Sequence, residues 1–242
     1  RATTVSRNQI HSFPSTSGST GTLTGILFNG SSGNPAAVTI VNNFVSIIPS
    51  FTNTQSIYGI RDFGNTGNTI NVYFNSVLVG GTAAGGNTWG CLRATISPTN
   101  FTLLDNICFN NRTGGTGNHF AGGDQSANTG TWSSNYNIYV GTGSTANFMD
   151  YGTVSTGTAV SVAAWQAGPP VRDANSQFSN PGGNYTVANM FVSTTDLHLN
   201  LGTNPAYDTG DSTGTGVTTD IDNDSRPQGA APDIGADEIS LV

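Results

Sequence analysis

An asparagine recurs along the first half of this chain at a nearly constant interval, and it always has the same kind of neighbours. Apolar residues stand five and three positions before it and two positions after it, most clearly in 38–45, 70–77 and 101–108. Successive steps are 35, 32, 31 and 31 residues, between Asn8, Asn43, Asn75, Asn106 and Asn137. A period of this length is typical of a repeat architecture, in which each unit packs only on its neighbours.

The apolar positions also predict the shape of one repeat. Side chains alternate between the two faces of a strand, so the residues at −5 and −3 share one face and the residue at +2 would face away along a straight strand. A bend near the asparagine brings all three into one interior. A second strand signal lies 16 to 18 residues before the asparagine, at Gly25-Ile26, Gly59-Ile60 and Gly90-Cys91.

These signals predict an all-β parallel solenoid. Coils stacked about 4.8 Å apart turn each apolar position into a column of the core and the five asparagines into a hydrogen-bonded ladder. We expect a single domain over 1–242, with regular coils over 1–147, irregular last coils over 148–195, and a strand followed by an acidic cap over 196–242. Nine of the fourteen acidic residues lie in that cap, which we expect to cover the last coil.

Composition excludes several other classes. Only 9% of the residues are charged, all seven basic residues are Arg, and Glu238 is the only Glu, so the good helix formers Lys and Glu are nearly absent. Twelve Phe, seven Tyr and three Trp argue against disorder. A pI near 4.5 argues against a nucleic-acid partner. No apolar run reaches 18 residues, so we expect no membrane insertion.

Cys91 and Cys108 both fall at apolar positions of the repeat. Small apolar residues occupy neighbouring positions, so we interpret the two as buried free thiols, with a disulfide between them as the alternative.

Several segments resemble a known family. The coils are similar to those of right-handed parallel β-helix repeat proteins with a pectin-lyase-like fold, secreted or at the cell surface in Bacteroidetes-type bacteria. The last nineteen residues of the similarity, Asp220-Ile-Asp-Asn-Asp-Ser-Arg-Pro-Gln-Gly-Ala-Ala-Pro-Asp-Ile-Gly-Ala-Asp-Glu238, resemble the motif that closes such helices. The resemblance covers nearly the whole chain and implies a right-handed β-helix with a C-terminal cap and an extracellular or cell-surface location. It implies no single activity, because these proteins include enzymes, adhesins and scaffolds.

A polysaccharide lyase or glycosidase of this fold is the first alternative function. Lyases need a basic residue beside an acidic sugar, but Lys is absent and Arg61, Arg93 and Arg112 occupy different places in their coils. Glycosidases need carboxylates about 5–9.5 Å apart. Asp62 and Asp124 share a repeat position but lie two coils, about 10 Å, apart. We therefore expect no catalytic residue.

The acidic cap contains the only candidate metal ligands. Asp220, Asp222 and Asp224 alternate as calcium ligands do, although Ser225 replaces the Gly and Ala231 the Glu of a calcium loop. The alternative is that these aspartates cap turns and pair with an Arg. No cofactor other than Ca²⁺ is expected. His11, His119 and His198 stand at unrelated positions, and we interpret them as polar loop or strand residues.

We predict a non-catalytic structural β-helix for surface attachment, carbohydrate contact or filament assembly. Its expected partners are polysaccharide or copies of itself stacked end to end, because a terminal coil exposes unpaired backbone groups. A solenoid that binds ice or a crystal surface is the second alternative. Thr20-Gly-Thr22-Leu-Thr24 and Thr129-Gly-Thr131 have the required local spacing, but we find no position where such rows recur, so we interpret them as ordinary strand threonines.

Overall fold

The computed structural model describes residues 2–13, 21–31, 33, 36–49, 54–142, 148–153 and 158–240. These residues form a parallel β-solenoid of about four turns, which confirms the predicted all-β class. Thr20 lies outside the described residues. Within the described part of the chain, no helix has the length and apolar character needed to cross a bilayer.

Each coil contributes one strand to each of three sheets. Sheet A consists of β1 (Ala2–Ser6), β4 (Ala37–Val41), β7 (Thr69–Tyr73), β10 (Asn100–Leu104) and β13 (Thr131–Asn135). Sheet B consists of β2 (Gln9–Ile10), β5 (Phe44–Ile47), β8 (Ser76–Val79), β11 (Ile107–Asn110), β14 (Ile138–Gly141) and β17 (Gln177–Ser179). Sheet C consists of β3 (Thr22–Phe28), β6 (Ser56–Asp62), β9 (Thr88–Arg93), β12 (His119–Asp124), β15 (Met149–Tyr151) and β16 (Ala159–Val160). Among the strands of the described residues, only β16 pairs antiparallel with its neighbour. Two short helices follow, α1 (Val162–Ala167) and α2 (Val187–Met190).

A left-handed residue makes the bend between sheets A and B. The residue before each repeat asparagine has a φ of 50–58°, namely Arg7, Asn42, Phe74, Asp105 and Tyr136. This conformation interrupts the strand alternation, as the spacing of the apolar positions requires. The columns at −5, −3 and +2, such as Ile70, Val72 and Val77, therefore all line the interior core.

The recurring glycine of sheet C allows sheets B and C to approach closely. A Cβ on Gly25 would lie 2.3 Å from Val45 Cγ1, and one on Gly59 would lie 2.2 Å from Val77 Cγ1. Both distances are far inside van der Waals contact. The strand signal found in the sequence therefore marks a narrow part of the core, where sheets B and C approach closely.

At this narrow part, Cys91 and Cys108 form a disulfide, with Cα atoms 5.8 Å apart. The prediction of free thiols is wrong, although both residues are buried as expected. Periodicity assigns each cysteine to an apolar column of its own sheet. It does not reveal that these two columns face each other across the interior of one coil.

The closing segment, defined as residues 196–240, lies along the side of the solenoid. It packs on the outer face of sheet B, where six of the residues at +1 and +3 are apolar and buried: Phe44, Leu78, Ile107, Phe109, Ile138 and Val140. Its hydrogen bonds reach from Arg7 in the first coil to Gln177 of β17, the last strand of sheet B. The predicted position over the last coil is wrong, because this apolar face of sheet B needs a cover.

Helix α1 covers the last coil instead. Its Trp165 belongs to the interior core and meets Trp132 edge to face, with ring centroids 5.5 Å apart. At the opposite end, β1, β2 and β3 have no neighbouring strand on one side among the described residues. The two ends of the solenoid are therefore different.

Candidate functional site

The five repeat asparagines form one hydrogen-bonded ladder along the bend. Each Nδ2 donates to Oδ1 of the next asparagine at 2.8–3.2 Å. Each main-chain N–H donates to the same oxygen at 2.9–3.1 Å. Asn8 is exposed at one end, whereas Asn43, Asn75, Asn106 and Asn137 are buried. The ladder satisfies the buried amides of four of its five members, which is a structural role.

The ladder ends on a buried aspartate that the sequence analysis missed. Asn137 Nδ2 donates to Asp173 Oδ1 at 3.1 Å, and Ser134 Oγ and Trp165 Nε1 donate to Oδ2 at 2.6 and 2.8 Å. A carboxylate only accepts hydrogen bonds, so it terminates the row without needing a further acceptor. The distance of 36 residues from Asn137 continues the period and could have identified Asp173.

The aspartates considered for catalysis lie in a buried charged column. Arg93 stands between Asp62 and Asp124 in strand register. Arg93 Nη1 is 3.9 Å from Asp124 Oδ1, and Arg172 Nη1 is 3.0 Å from Asp124 Oδ2. All four side chains are buried, and burial raises the pKa of Asp62 to about 6. Sequence reasoning overlooked that Arg93 has the same repeat position as the two aspartates.

The guanidinium of Arg93 is occupied by structural contacts. It donates to the main-chain oxygens of Thr99 and Thr129 at 3.1 and 2.6 Å and to the Thr99 hydroxyl at 3.1 Å. Burial lowers its pKa. A sugar polymer at the surface would not reach this group.

The structure does not gather Asp220, Asp222 and Asp224 around one point. Asp220 Oδ1 accepts the N–H groups of Asp222 and Asp224 at 2.9 and 2.8 Å, and its Oδ2 accepts the N–H of Glu238 at 3.1 Å. Asp222 turns toward His198, and Asp224 is exposed. The buried Asp220 thus caps a turn, as in the alternative interpretation.

The end of the closing segment is held together by buried carboxylates. Glu238 accepts the N–H groups of Gln228 and Asp233 at 2.8 and 2.9 Å, and Arg226 Nη1 lies 3.2 Å from Glu238 Oε2. Asp233 in turn accepts the N–H groups of Asp208 and Ile239, both at 2.7 Å. Burial raises the pKa of Asp233 to about 7 and also raises the pKa of Glu238. These side chains hold turns of the segment together through hydrogen bonds and are not displayed to solvent.

The outer face of sheet A carries two rows of small, uncharged side chains in strand register. We call these two rows the polar face. The first row contains Ala2, Ala37, Thr69, Asn100 and Thr131, and the second contains Thr4, Thr39, Asn71, Thr102 and Ser133. All ten residues are exposed or half-buried. Neighbouring side chains within a row are about 4.8 Å apart, and the two rows are about 6.7 Å apart along the strands.

This regularity does not show in the two threonine segments of the sequence. Thr20-Gly-Thr22-Leu-Thr24 belongs in part to sheet C, where Thr24 is in register with Tyr58. Thr131 instead lies beside Asn100, which accepts its hydroxyl hydrogen bond at 2.9 Å. The rows mix Thr with Asn, Ser and Ala, so a search for Thr alone does not detect them.

A groove runs along one side of the polar face. It lies between sheet A and residues 215–219 of the closing segment and includes Thr4, Thr39, Thr215 and Thr219. Its floor is partly apolar because Val217 packs against the third outward row, which contains Val41 and Tyr73. Hydroxyl groups above an apolar floor can bind a ligand that has polar edges and apolar faces.

Comparisons of the chain with protein-family models, with curated protein sequences and with solved structures found no match. The chemistry of the polar face and its groove is therefore the basis for a functional proposal.

Proposed function

We propose that this chain is a non-catalytic, extracellular β-solenoid that attaches to neutral polysaccharide through its polar face. The observation that carries the proposal is the strand register of ten small, uncharged side chains across five strands. A polysaccharide presents hydroxyl groups at regular intervals, and each can donate and accept hydrogen bonds as Thr, Ser and Asn side chains do. Regular spacing on both partners favours many weak contacts along an extended chain.

The absence of charge from both rows favours a neutral polymer. A formal net charge of −7 would also repel an acidic polysaccharide. Arg7, which borders the groove, already donates to Thr219 Oγ1 and to the main-chain oxygen of Asp220. Binding should therefore depend little on salt concentration.

An extracellular or cell-surface location is supported by the disulfide, because disulfides persist mainly in oxidising compartments. The three sheets of the coil and the closing segment support relation to the pectin-lyase-like β-helix proteins that the sequence resembles. Catalysis is not part of the proposal, since Asp62, Arg93 and Asp124 are buried. Filament assembly is disfavoured, since α1 covers one end of the solenoid.

A binding screen with a matched pair of variants tests the proposal. The face variant carries Thr39→Val and Thr102→Val, and the control variant carries Thr22→Val and Thr24→Val on sheet C. The purified protein is tested for retention on insoluble neutral polysaccharides and on a glycan array that also carries acidic glycans. We expect wild type and control to bind a neutral glycan and the face variant to bind it at least about fivefold less tightly, from two lost hydrogen bonds. Absence of glycan binding, or equal loss in both variants, would contradict the proposal.

The regular rows also favour a second candidate, binding to ice. An ice surface would select for rows of one residue type, whereas both rows here mix Thr with Asn, and the first also contains Ala and the second Ser. Thermal hysteresis of the wild type that disappears in the face variant, without glycan binding, would support ice as the ligand.

A further inference from the structure

His198 lies among three carboxylates on the surface of the closing segment. Its Nδ1 is hydrogen-bonded to Asp196 Oδ1, and its Nε2 is 2.8 Å from Asp222 Oδ2. One possible ligand atom from each of His198, Asp222 and Asp237 lies within 4.8 Å of the other two. Asp222 comes to this group from the acidic run, 24 residues away from His198.

A neutral imidazole cannot satisfy the hydrogen-bond pattern around His198. A neutral imidazole has one N–H, so it can donate to only one carboxylate. Here both ring nitrogens face carboxylate oxygens that can only accept. Either the ring carries a second proton, or a cation takes the place of the proton between Nε2 and Asp222.

The charge of the group favours a dication. Three carboxylates surround one imidazole, and no Arg forms an ion pair with Asp196, Asp222 or Asp237 among the residues that the structure describes. A second ring proton would compensate only one of these three negative charges. A divalent ion on Nε2 would compensate two and leave Nδ1–H to bond Asp196.

The ligand atoms are held in place by the fold. Asp237 is buried, and its Oδ2 accepts the N–H of Leu199 at 2.8 Å. The Phe44 ring packs edge to face on the imidazole, with centroids 4.8 Å apart. A carboxylate on the second nitrogen of a histidine ligand is the usual arrangement around protein-bound metals, because it fixes the ring and its tautomer. Asp196 has this position.

We propose that His198, Asp222 and Asp237 bind a divalent transition-metal ion, for which zinc is the probe. His198 Nε2 and one oxygen from each aspartate supply three ligands, and Asp196 is the positioning residue. Imidazole and carboxylate together suit zinc and its first-row neighbours, whereas calcium prefers oxygen ligands alone. The ion joins the start, middle and end of the closing segment, so it fastens this segment to itself. The half-exposed Asp222 leaves room for water on the outer side.

The test uses the full chain after treatment with a chelator. Isothermal titration with zinc chloride and with calcium chloride measures affinity, and visible absorption after cobalt addition reports nitrogen and oxygen ligands. The site variants are His198→Gln and Asp222→Asn, and their matched controls are His11→Gln and Asp224→Asn. Asp222 is exposed enough that its variant should fold, which circular dichroism checks.

We expect one zinc per chain, a higher melting temperature with zinc, and cobalt absorption bands in the wild type and both controls. Zinc affinity should fall at least about tenfold in each site variant. The absence of saturable zinc binding by the wild type would overturn the proposal, and so would equal affinity in folded Asp222→Asn and wild type. Tighter binding of calcium than of zinc would overturn it as well.

Discussion

At the bend of each coil, a single residue adopts a left-handed conformation that costs L-amino acids about 1–2 kcal/mol. Asp105 occupies this position with a φ of 58°, and its buried Oδ1 accepts the N–H of Asp211 at 2.7 Å. Burial is the main reason that its pKa is raised, to about 8. The residue thus combines a strained backbone with a carboxyl group that the fold prefers to keep protonated.

The first prediction concerns pH. The pKa of Asp105 is higher in the folded protein than its ordinary value of about 3.9 in the unfolded chain. Stability from this group is therefore fully present below about pH 4 and decreases as the pH rises toward 8, by up to about 1.4 kcal/mol per unit. Asp105→Asn keeps the shape, suits the left-handed backbone and removes the ionisation.

Urea unfolding at pH 5 and pH 8 measures this effect. The variant should gain in unfolding free energy over the wild type as the pH rises between these values. A difference between the two proteins that is the same at both pH values would show that the pKa of Asp105 is not raised in the folded protein.

At the scale of strands and bends, the ladder is the element that depends most on one residue type. Asn75 Nδ2 donates to Asn106 Oδ1 and to the main-chain oxygens of Ile40 and Tyr73 at 2.9–3.0 Å. Aspartate has the same shape and cannot donate. The second prediction is that Asn75→Asp lowers the unfolding free energy by about 3 kcal/mol or more. Three buried acceptors lose their donor, and a carboxylate charge takes its place beside them.

The matched control is Asn8→Asp at the exposed end of the same ladder. Water can replace the lost bonds there, so a cost of about 1 kcal/mol or less is expected. Denaturant titration of the two variants measures the difference. Equal losses would mean that the ladder contributes to stability no more inside the solenoid than at its end.

The third prediction is that non-reduced, denatured protein contains no thiol that reacts with a labelling reagent at Cys91 or Cys108. Mass spectrometry before and after reduction measures this. The double variant Cys91→Ala and Cys108→Ala should lose about 3 kcal/mol of unfolding free energy, because the bond closes a loop over a sequence separation of 17 residues. Full labelling of both thiols in protein from an oxidising compartment would contradict the structure.

Local features of the elements could be predicted from the sequence, whereas contacts between elements could not. The apolar positions around Asn75 predict the strands and the bend, because side-chain alternation is a property of the strand itself. The disulfide depends on which columns meet across the core. The group of His198, Asp222 and Asp237 depends on three parts of the closing segment that share no period. The pairing of Arg93 with Asp62 is a contact between elements that could have been predicted, because both residues have the same position in the repeat.

At the scale of the whole molecule, the closing segment acts as a lateral cover of sheet B. Ile221, Ile234 and Ile239 pack on the outward side chains of that sheet, and Arg226 lies over the Phe74 ring at 4.2 Å from its centroid. Without this cover, a continuous apolar surface along several coils would face water. Such surfaces promote association between chains.

The fourth prediction is that truncation after Leu201 gives soluble aggregates with largely intact β-structure. The cause is the exposed outer face of sheet B, including Phe44, Phe109 and Val140. Size-exclusion chromatography, circular dichroism and binding of a hydrophobic dye measure the outcome. A truncated protein that remains monomeric and melts at the wild-type temperature would show that the segment contributes nothing to the solenoid.

The proposed attachment through the polar face is tested most directly by an adsorption isotherm. Wild type, the face variant and the control variant are titrated onto the insoluble neutral polysaccharide that retains the wild type, at low and high salt. We predict unchanged binding by the control variant, at least about fivefold weaker binding by the face variant, and little dependence on salt. The same melting temperature for all three proteins verifies that only the surface has changed. Isotherms for the face variant that coincide with those of the wild type would contradict attachment through the polar face.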